Sequence, residues 1–339
     1  MLTLIGDNDA RFHKFVACPG TSHLYNKLRE RNFKNLFDLS FPSKPGEIPD
    51  IIRSARELIK IIVENDIDVV HTNGSNDNRM AFYASLFCKK KFKVIYTKHN
   101  TYPIKGIVSH WRFNCFNDAA IFVADSIYKT IGIKRITTPV YVIENGINLN
   151  WWKKEAPIRT GQEHLTMITN TGLSLHKGWT YLTDAIADLP PDMKKRLKVI
   201  VIGMLELEEE QSKARTKCDI DFPGFMDDAR PALEQADVGF VLSYNSETSS
   251  FACKEMMAMS LPMIVSDYSS LPQRVDKDCG WITQTRNAGS IKEALLKILA
   301  LSPEDLNAMK RKARAKAEAE YAQEIMIDAT NQVYVDIAG

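Results

Sequence analysis

The chain has 339 residues, 45% of them hydrophobic and 25% charged, so it can bury a large core, and its length predicts two domains rather than one. No run of 18 apolar residues occurs and no basic stretch leads into a long apolar one near the start, so neither a spanning helix nor a secretory signal is expected and the predicted location is the cytoplasm. The net charge of +2 is unevenly spread: residues 1–150 hold 21 Lys and Arg against 14 Asp and Glu, and the remainder holds 23 against 28, so a +7 half that suits an anionic acceptor or the face of an anionic inner membrane precedes a −5 half.

The first elements are short. Residues 2–5 predict a strand, 6–9 a turn, and 15–18 a second strand closed by Pro19 and Gly20. Thr21 and Ser22 offer caps for a helix through residue 31, and a proline-rich loop over 41–49 leads into a helix over 49–65 whose apolar side carries Ile51, Ile52, Leu58, Ile59 and Ile62. A buried strand over 69–71, the Asn73-Gly74-Ser75-Asn76 turn and a helix over 79–88 make one βα unit. Its turn, with Asn73 and Gly74, falls at a strand's carboxyl end, where open α/β sheets bind ligands.

Lys89, Lys90, Lys91 and Lys93, interleaved with Phe87 and Phe92, read either as a solvated helix end or as a stretch lying on a membrane surface; nucleic acid is not the expected partner. The next strand, over 94–96, runs into Thr97, Lys98, His99 and Asn100; by itself a His at a strand end, as His71 and His99 both are, reads as structural. Strands over 119–123 and 140–143 flank a helix over 126–131, after which come the Asn145-Gly146-Ile147-Asn148 turn and a charged, Pro-containing link over 151–160.

The second half opens with a strand over 165–169, a loop over 171–178 that contains Gly172 and Lys177, and an amphipathic helix with Trp179, Leu182 and Ile186. A strand over 197–202 ends at Gly203, the Phe222-Pro223-Gly224-Phe225 segment predicts a turn, and a brief helix over 231–235 leads to a strand over 238–242. Thr248, Ser249 and Ser250 can cap a helix over 251–260 that begins at Phe251, and a strand over 263–265 follows. The start of that helix therefore lies at a strand's carboxyl end, where unpaired amides and the positive end of the dipole suit an anion, phosphate first. Glu247 sits in the turn and Glu255 is expected about two turns into the helix. A carboxylate accepts several hydrogen bonds and suits a vicinal diol, although an acid near a helix start also serves as a simple cap. Helices over 290–301 and beyond Ser302-Pro303-Glu304 complete the chain.

Six cysteines are scattered without any CxxC, which predicts reduced core thiols rather than disulfides or a zinc site. There is no GxGxxG, GxxxxGK(S/T), HExxH or GxSxG, so nicotinamide, P-loop and zinc-protease chemistry lose their support. The Asp7/Asp9, Asp66/Asp68 and Asp219/Asp221 pairs have DxD spacing but read as solvated loops.

The stretch over 240–267 resembles the glycosyltransferases of family 4, whose signature is Glu, seven residues, Glu, an Ala-Met-rich helix, Pro and an apolar strand ending in Asp; here these fall on Glu247, Glu255, Ala258, Met259, Pro262 and Asp267. The TxHN around His99, the NGIN turn, Lys177 before Gly178, the strand-ending Gly203 and the FPGF segment match as well. Two positions depart: Thr248, Ser249 and Ser250 stand where the family often has Gly-Phe-Gly, and Gly172 stands where it has an Arg.

The resemblance implies the GT-B fold, two Rossmann-like domains facing each other across a cleft, with the first βα unit shortened or missing. It implies an acceptor domain over 1–150, a donor domain over 151–320 and a terminal helix over 321–339 that crosses back. The implied activity is transfer of a sugar, with retention, from a nucleotide-diphosphate sugar to a cell-surface glycan or lipid-linked acceptor, without cofactor or metal. It implies that His99, Glu247 and Lys177 serve catalysis, and that Gly172, Lys177, Gly203, Phe225, Glu247, Thr248, Ser249, Ser250, Phe251 and Glu255 surround the donor. Asn73, Gly74, His99 and Asn100 would face the acceptor. The alternatives on this fold are a nucleotide-sugar epimerase or phosphorylase, and a non-catalytic member that binds nucleotide or glycan.

Overall fold

The computed structural model of the chain describes residues 2–6, 9–155, 164–204, 207–245 and 247–339. It divides into two units, one formed by Met1–Glu144 with Met326–Gly339 and the other by Asn145–Ile325.

In the first unit, helix α1 (Leu2–Gly6) precedes strand β1 (Val16–Cys18), helix α2 (His23–Glu30) and strand β2 (Leu36–Asp38). The predicted strand over 2–5 is thus a helix; Leu2, Thr3, Leu4 and Ile5 are too short a segment to fix either state on local pattern alone. The predicted turn that follows it includes Asp7 and Asn8, which lie outside the described residues. Ser22 caps α2 by accepting from Tyr25 N at 3.1 Å, and β1 pairs in parallel with β2, a small sheet separate from the main one.

The main sheet of this unit is parallel, in the order β3-β4-β5-β6, from β3 (Val69–Thr72), β4 (Lys93–Lys98), β5 (Ala119–Phe122) and β6 (Val140–Val142). Helix α3 (Ile48–Glu64) precedes β3, and α4 (Ser75–Phe87), α5 (Ile107–Phe116) and α6 (Ser126–Thr130) fill the crossovers. Leu58 and Ile62 of α3 pack with Met80, Ala81 and Ala84 of α4. β5 is buried along its whole length, as a central parallel strand should be. β3 is only half-buried, against the expectation of a buried strand, because it ends this sheet.

The second unit is built on a six-stranded parallel sheet from β7 (Leu165–Thr169), β8 (Leu197–Ile202), β9 (Asp219–Gly224), β10 (Val238–Val241), β11 (Met263–Ser266) and β12 (Gly280–Thr283). Residues 222–224 of the expected turn are the end of β9. Around the sheet lie α7 (Trp179–Ala187), α8 (Pro191–Lys194), α9 (Glu208–Lys217), α10 (Arg230–Glu234), α11 (Phe251–Ala258), α12 (Ala288–Leu299) and α13 (Pro303–Glu320). One core packs Trp179, Leu182 and Ile186 of α7 against Val199, Phe240, Leu295 and Ile298; the other packs Met256 and Met257 of α11 against Val241, Val265, Ala313 and Tyr321. The last helix, α14 (Gln323–Ala338), belongs from Met326 onward to the first unit, where Val333 packs with Ile95, Ala119 and Ile121. Among the described residues no helix is long and apolar enough to cross a membrane.

Candidate functional site

The strand order of the second unit, β12-β11-β10-β7-β8-β9, is that of a doubly wound sheet. Successive crossovers run one way from β7 to β9, and the chain then returns to place β10 on the other side of β7. At such a switch point the loops leaving two adjacent strands diverge to opposite faces and open a crevice beyond their carboxyl ends. The segments there are those after β7 and β10, which carry most of the expected donor residues.

The loop after β7 is held by glycine. Gly172 has φ +91° and donates its N–H to Ile202 O at 3.1 Å, while Gly203 N donates to Gly224 O at 3.0 Å. A Cβ on Gly203 would lie 2.3 Å from Gly172 Cα, so the ends of β7, β8 and β9 can approach this closely only without that side chain. Phe225, next after β9, has an exposed ring.

Gly178 begins α7 at φ +77°, and a Cβ there would meet Leu242 O at 2.1 Å, which brings the preceding turn hard against the end of β10. Lys177 is thereby carried to Glu247: Nζ lies 3.2 Å from Oε2, and the same oxygen accepts from Ser243 Oγ at 3.0 Å. Both side chains are mostly shielded from water, at 18% and 9% exposure, which strengthens their attraction relative to a surface pair.

The second acid is placed differently from the expectation. Because α11 starts at Phe251, Glu255 stands just over one turn into it, not two. Its Oε2 accepts from Asn170 Nδ2 at 2.7 Å, and burial raises its pKa. Asn170 Oδ1 is buried and meets no donor among the described residues. Of the three candidate caps, Ser250 serves, accepting from Cys253 N at 3.4 Å. Thr248 offers its carbonyl to Ser270 Oγ, Ser249 Oγ accepts from Lys254 Nζ at 3.0 Å, and Phe251 is half-exposed.

Three of these partners were not foreseen. Asn170 and Ser243 are short polar residues at strand ends, and Lys254 passes for an ordinary helix former. Yet Lys254 is fully buried, donates to Asn145 O at 2.6 Å and lies 5.1 Å from the centre of the Tyr321 ring. A fully buried Lys is rare unless it is paired, and here its partners tie the loop before α11 to the Asn145 turn.

In the first unit, His99 follows β4, and its Nε2 lies 2.8 Å from Asn73 Oδ1. Desolvation lowers the pKa of His99, which favours the neutral ring. Asn73 N donates to Asp77 Oδ2 at 2.6 Å, Gly74 precedes α4, and Asn100 Oδ1 accepts from the buried Lys98 at 3.0 Å. The four expected acceptor-side residues thus fall on two adjacent strand ends. His71 does not join them: it is enclosed between Thr97 Oγ1 and Tyr334 Oη, each 2.6 Å away, and burial pushes its pKa down to about 4. The DxD pairs are engaged elsewhere, Asp66 and Asp68 with Lys90 and Asp221 with Lys198; Asp7 lies outside the described residues.

A doubly wound sheet with polar side chains gathered at its switch point is an arrangement at which open α/β proteins bind ligands. Comparison with known families agrees: the model of glycosyl transferases group 1 matches residues 152–316, and that of glycosyltransferase family 4 matches residues 10–151. The chain belongs to the glycosyltransferases that these two models describe.

Among individual relatives, WcaL of Escherichia coli (strain K12), described as a colanic acid biosynthesis glycosyltransferase, is 23% identical over 181 residues. That match takes in 50% of this chain and 45% of WcaL, so the similarity spans less than half the length of that relative. Among solved structures, a glycosyltransferase from Rickettsia africae ESF-5 superposes with a TM-score of 0.84 at 14% identity, covering 99% of this chain and 93% of its own. HepE of Anabaena, in complex with UDP, gives 0.78 at 16%, covering 99% and 95%. The apo lipopolysaccharide outer core galactosyltransferase WaaB gives 0.69 at 13%, covering 89% and 85%. At these identities the likeness is one of fold, the GT-B arrangement of Rossmann-like domains.

Proposed function

We propose that this chain transfers a sugar from a nucleoside diphosphate sugar to a cell-surface glycan or lipid-linked acceptor with retention at the anomeric carbon, and that the second unit holds the donor and the first the acceptor. The observation that carries this reading is the Lys177–Glu247 pair at the switch point, with Glu255 held by Asn170 beside it. That HepE has been solved with UDP and with UDP-glucose supports the choice of donor class.

In this reading Lys177 and the first amides of α11 receive the diphosphate, Glu255 accepts hydrogen bonds from the ribose hydroxyls, and Glu247 orients hydroxyls of the sugar. The acceptor hydroxyl attacks C1 as the bond from C1 to the phosphate oxygen breaks. The electron pair leaves with the phosphate, which also takes the acceptor's proton, and Lys177 stabilises the charge growing on it. No metal is needed for that charge balance. The neutral ring of His99, steadied by Asn73, is suited to orient the acceptor hydroxyl, which must approach C1 from the face the phosphate leaves if the configuration is retained.

The test is a panel of UDP, GDP and ADP sugars, scored first by thermal shift and then by analysis of products after incubation with lipid-linked and glycan acceptors. One donor should stabilise the protein and yield a glycosylated product, undiminished by EDTA. An epimerised donor, a sugar phosphate released by inorganic phosphate, or a transfer restored only by manganese would each overturn the reading.

A further inference from the structure

We propose that the outer side of α4 and α5 in the first unit is a docking surface for an anionic lipid bilayer, with the apolar side chains of α5 seated at the headgroup boundary. The case begins with side chains that water should not favour. Ile107 is 88% exposed, Val108 72% and Trp111 52%, all in the first five residues of α5; Leu86 and Phe87, at the end of α4, are 59% and 77% exposed. Ile107 and Trp111 are four residues apart and so share a face, and the exposed Cys115 continues it by another turn. The two helices adjoin, since the Trp111 ring meets Phe82 of α4 edge-on at 5.9 Å and Phe82 in turn meets Phe116 at 5.2 Å.

The stretch of chain that carries these residues is basic. Residues 78–117, which contain nearly all of α4, β4 and α5, include eight Lys and Arg and no Asp or Glu. Some of those cations are already engaged: Lys90 pairs with Asp66 and Asp68, Lys93 with Asp118, and Lys98 is buried. Lys89, Lys91 and Lys105 are exposed.

This combination selects among occupants. A second copy pairing through the same face would set the exposed Lys89, Lys91 and Lys105 of one copy against those of the other, because a two-fold interface brings each patch onto itself. Nucleic acid would take the lysines but leave Ile107, Val108 and Trp111 without an apolar partner. A bilayer of anionic lipid answers both features: headgroup phosphates attract exposed lysines, and the interface accepts the indole and the branched side chains. The surface is separate from the lysine run as read from sequence, since the apolar contact lies on α5 and two of the four lysines of the run are held in ion pairs.

The test uses the full chain with no donor or acceptor present, so its outcome is independent of the transfer reading. Sedimentation with vesicles of phosphatidylcholine containing about 30% phosphatidylglycerol is compared with pure phosphatidylcholine and with about 1 M salt, where the screening length is ~3 Å. The natural protein should bind the anionic vesicles and lose at least about tenfold in partitioning in either control. Ile107→Ser/Val108→Ser should lose at least about tenfold more, with melting temperature and nucleotide binding unchanged, because these two side chains are already in water in the fold and leave it only on binding. Lys89→Glu/Lys91→Glu/Lys105→Glu should fall to the level of neutral vesicles. A solvatochromic dye on Cys115, the other five cysteines being buried, should shift to the blue with anionic vesicles. Absence of vesicle binding, binding unaffected by the double serine variant, or a vesicle-independent dimer that this variant dissolves would overturn the proposal.

Discussion

Replacing Glu255 by Ala should weaken binding of the bare nucleoside diphosphate and do so through the ribose. The carboxylate is largely desolvated and is oriented by Asn170 Nδ2 at 2.7 Å, so a hydroxyl that reaches its second oxygen meets an acceptor already held in place. A hydrogen bond to a charged group contributes about 1.5–3 kcal/mol, which corresponds to roughly a 10- to 150-fold rise in Kd. Asn170→Ala keeps the carboxylate but loses its orienting donor, and the expected loss is that of one ordinary hydrogen bond, about 0.5–1.5 kcal/mol. Calorimetry with the preferred nucleotide and with its 2′,3′-dideoxy analogue separates a ribose contact from a general loosening: both variants should narrow the preference for the ribonucleotide. The pH dependence has a definite sign. Burial raises the folded pKa of Glu255 above its usual 4.5, so the group favours the fold below about pH 4.5 and opposes it as pH rises through the folded value. Glu255→Gln should therefore gain stability relative to the natural protein as pH climbs above 4.5, while binding nucleotide less well. Equal losses for the ribo and dideoxy ligands, accompanied only by a lower melting temperature, would refute the reasoning and leave Glu255 as a packing residue.

Other consequences follow from the same structure. His71, with its pKa pushed down to about 4 from 6.5, stabilises the fold fully above about pH 6.5 and loses that contribution as pH falls toward 4, on the order of 3 kcal/mol in all; urea titrations at several pH values should show this slope flattened in His71→Gln. Gly178→Ala must place a methyl group against Leu242 O from a left-handed backbone, and it should cost roughly 2–4 kcal/mol by denaturant unfolding. Lys310 is buried with its ammonium 2.7 Å from Asp237, whose other oxygen accepts from Thr166 N, so Lys310→Ala should destabilise by about 3–5 kcal/mol, and Lys310→Ala/Asp237→Ala by less than the sum of the two single changes.

Elements with a strong local signature were legible in the sequence. Helix α3 shows its apolar stripe, α13 its Ser302 cap followed by proline, and β10 and β11 their short buried apolar runs. Those that escaped lack such a signal for identifiable reasons. β2, of sequence LFD, and β12, of sequence GWIT, lack the unbroken apolar run that marks β10 and β11. α9, with sequence EEEQSKARTK, buries Ala214 alone, and most apolar residues of α5 face outward, Ile107, Val108 and Trp111 exposed against Phe113 buried. The helix at residues 2–6 gives no sign of itself because Leu2, Leu4 and Ile5 around Thr3 are too few to show a period. At the site, Glu247, Lys177 and Ser250 were readable from spacing and family likeness, whereas Asn170 and Lys254 act through contacts with residues 85 and 109 positions away, which only the folded chain brings within reach.

The central claim, that the switch point of the second unit holds an intact sugar donor, is tested most directly by Glu247→Ala in a transfer assay run beside nucleotide calorimetry in EDTA. The expected result is a fall in kcat of one hundredfold or so, in the range of a lost transition-state contact, with nucleotide affinity retained within about threefold and the remaining product carrying the donor's anomeric configuration. Transfer at an unchanged rate, or loss of nucleotide affinity and transfer in equal measure, would contradict it.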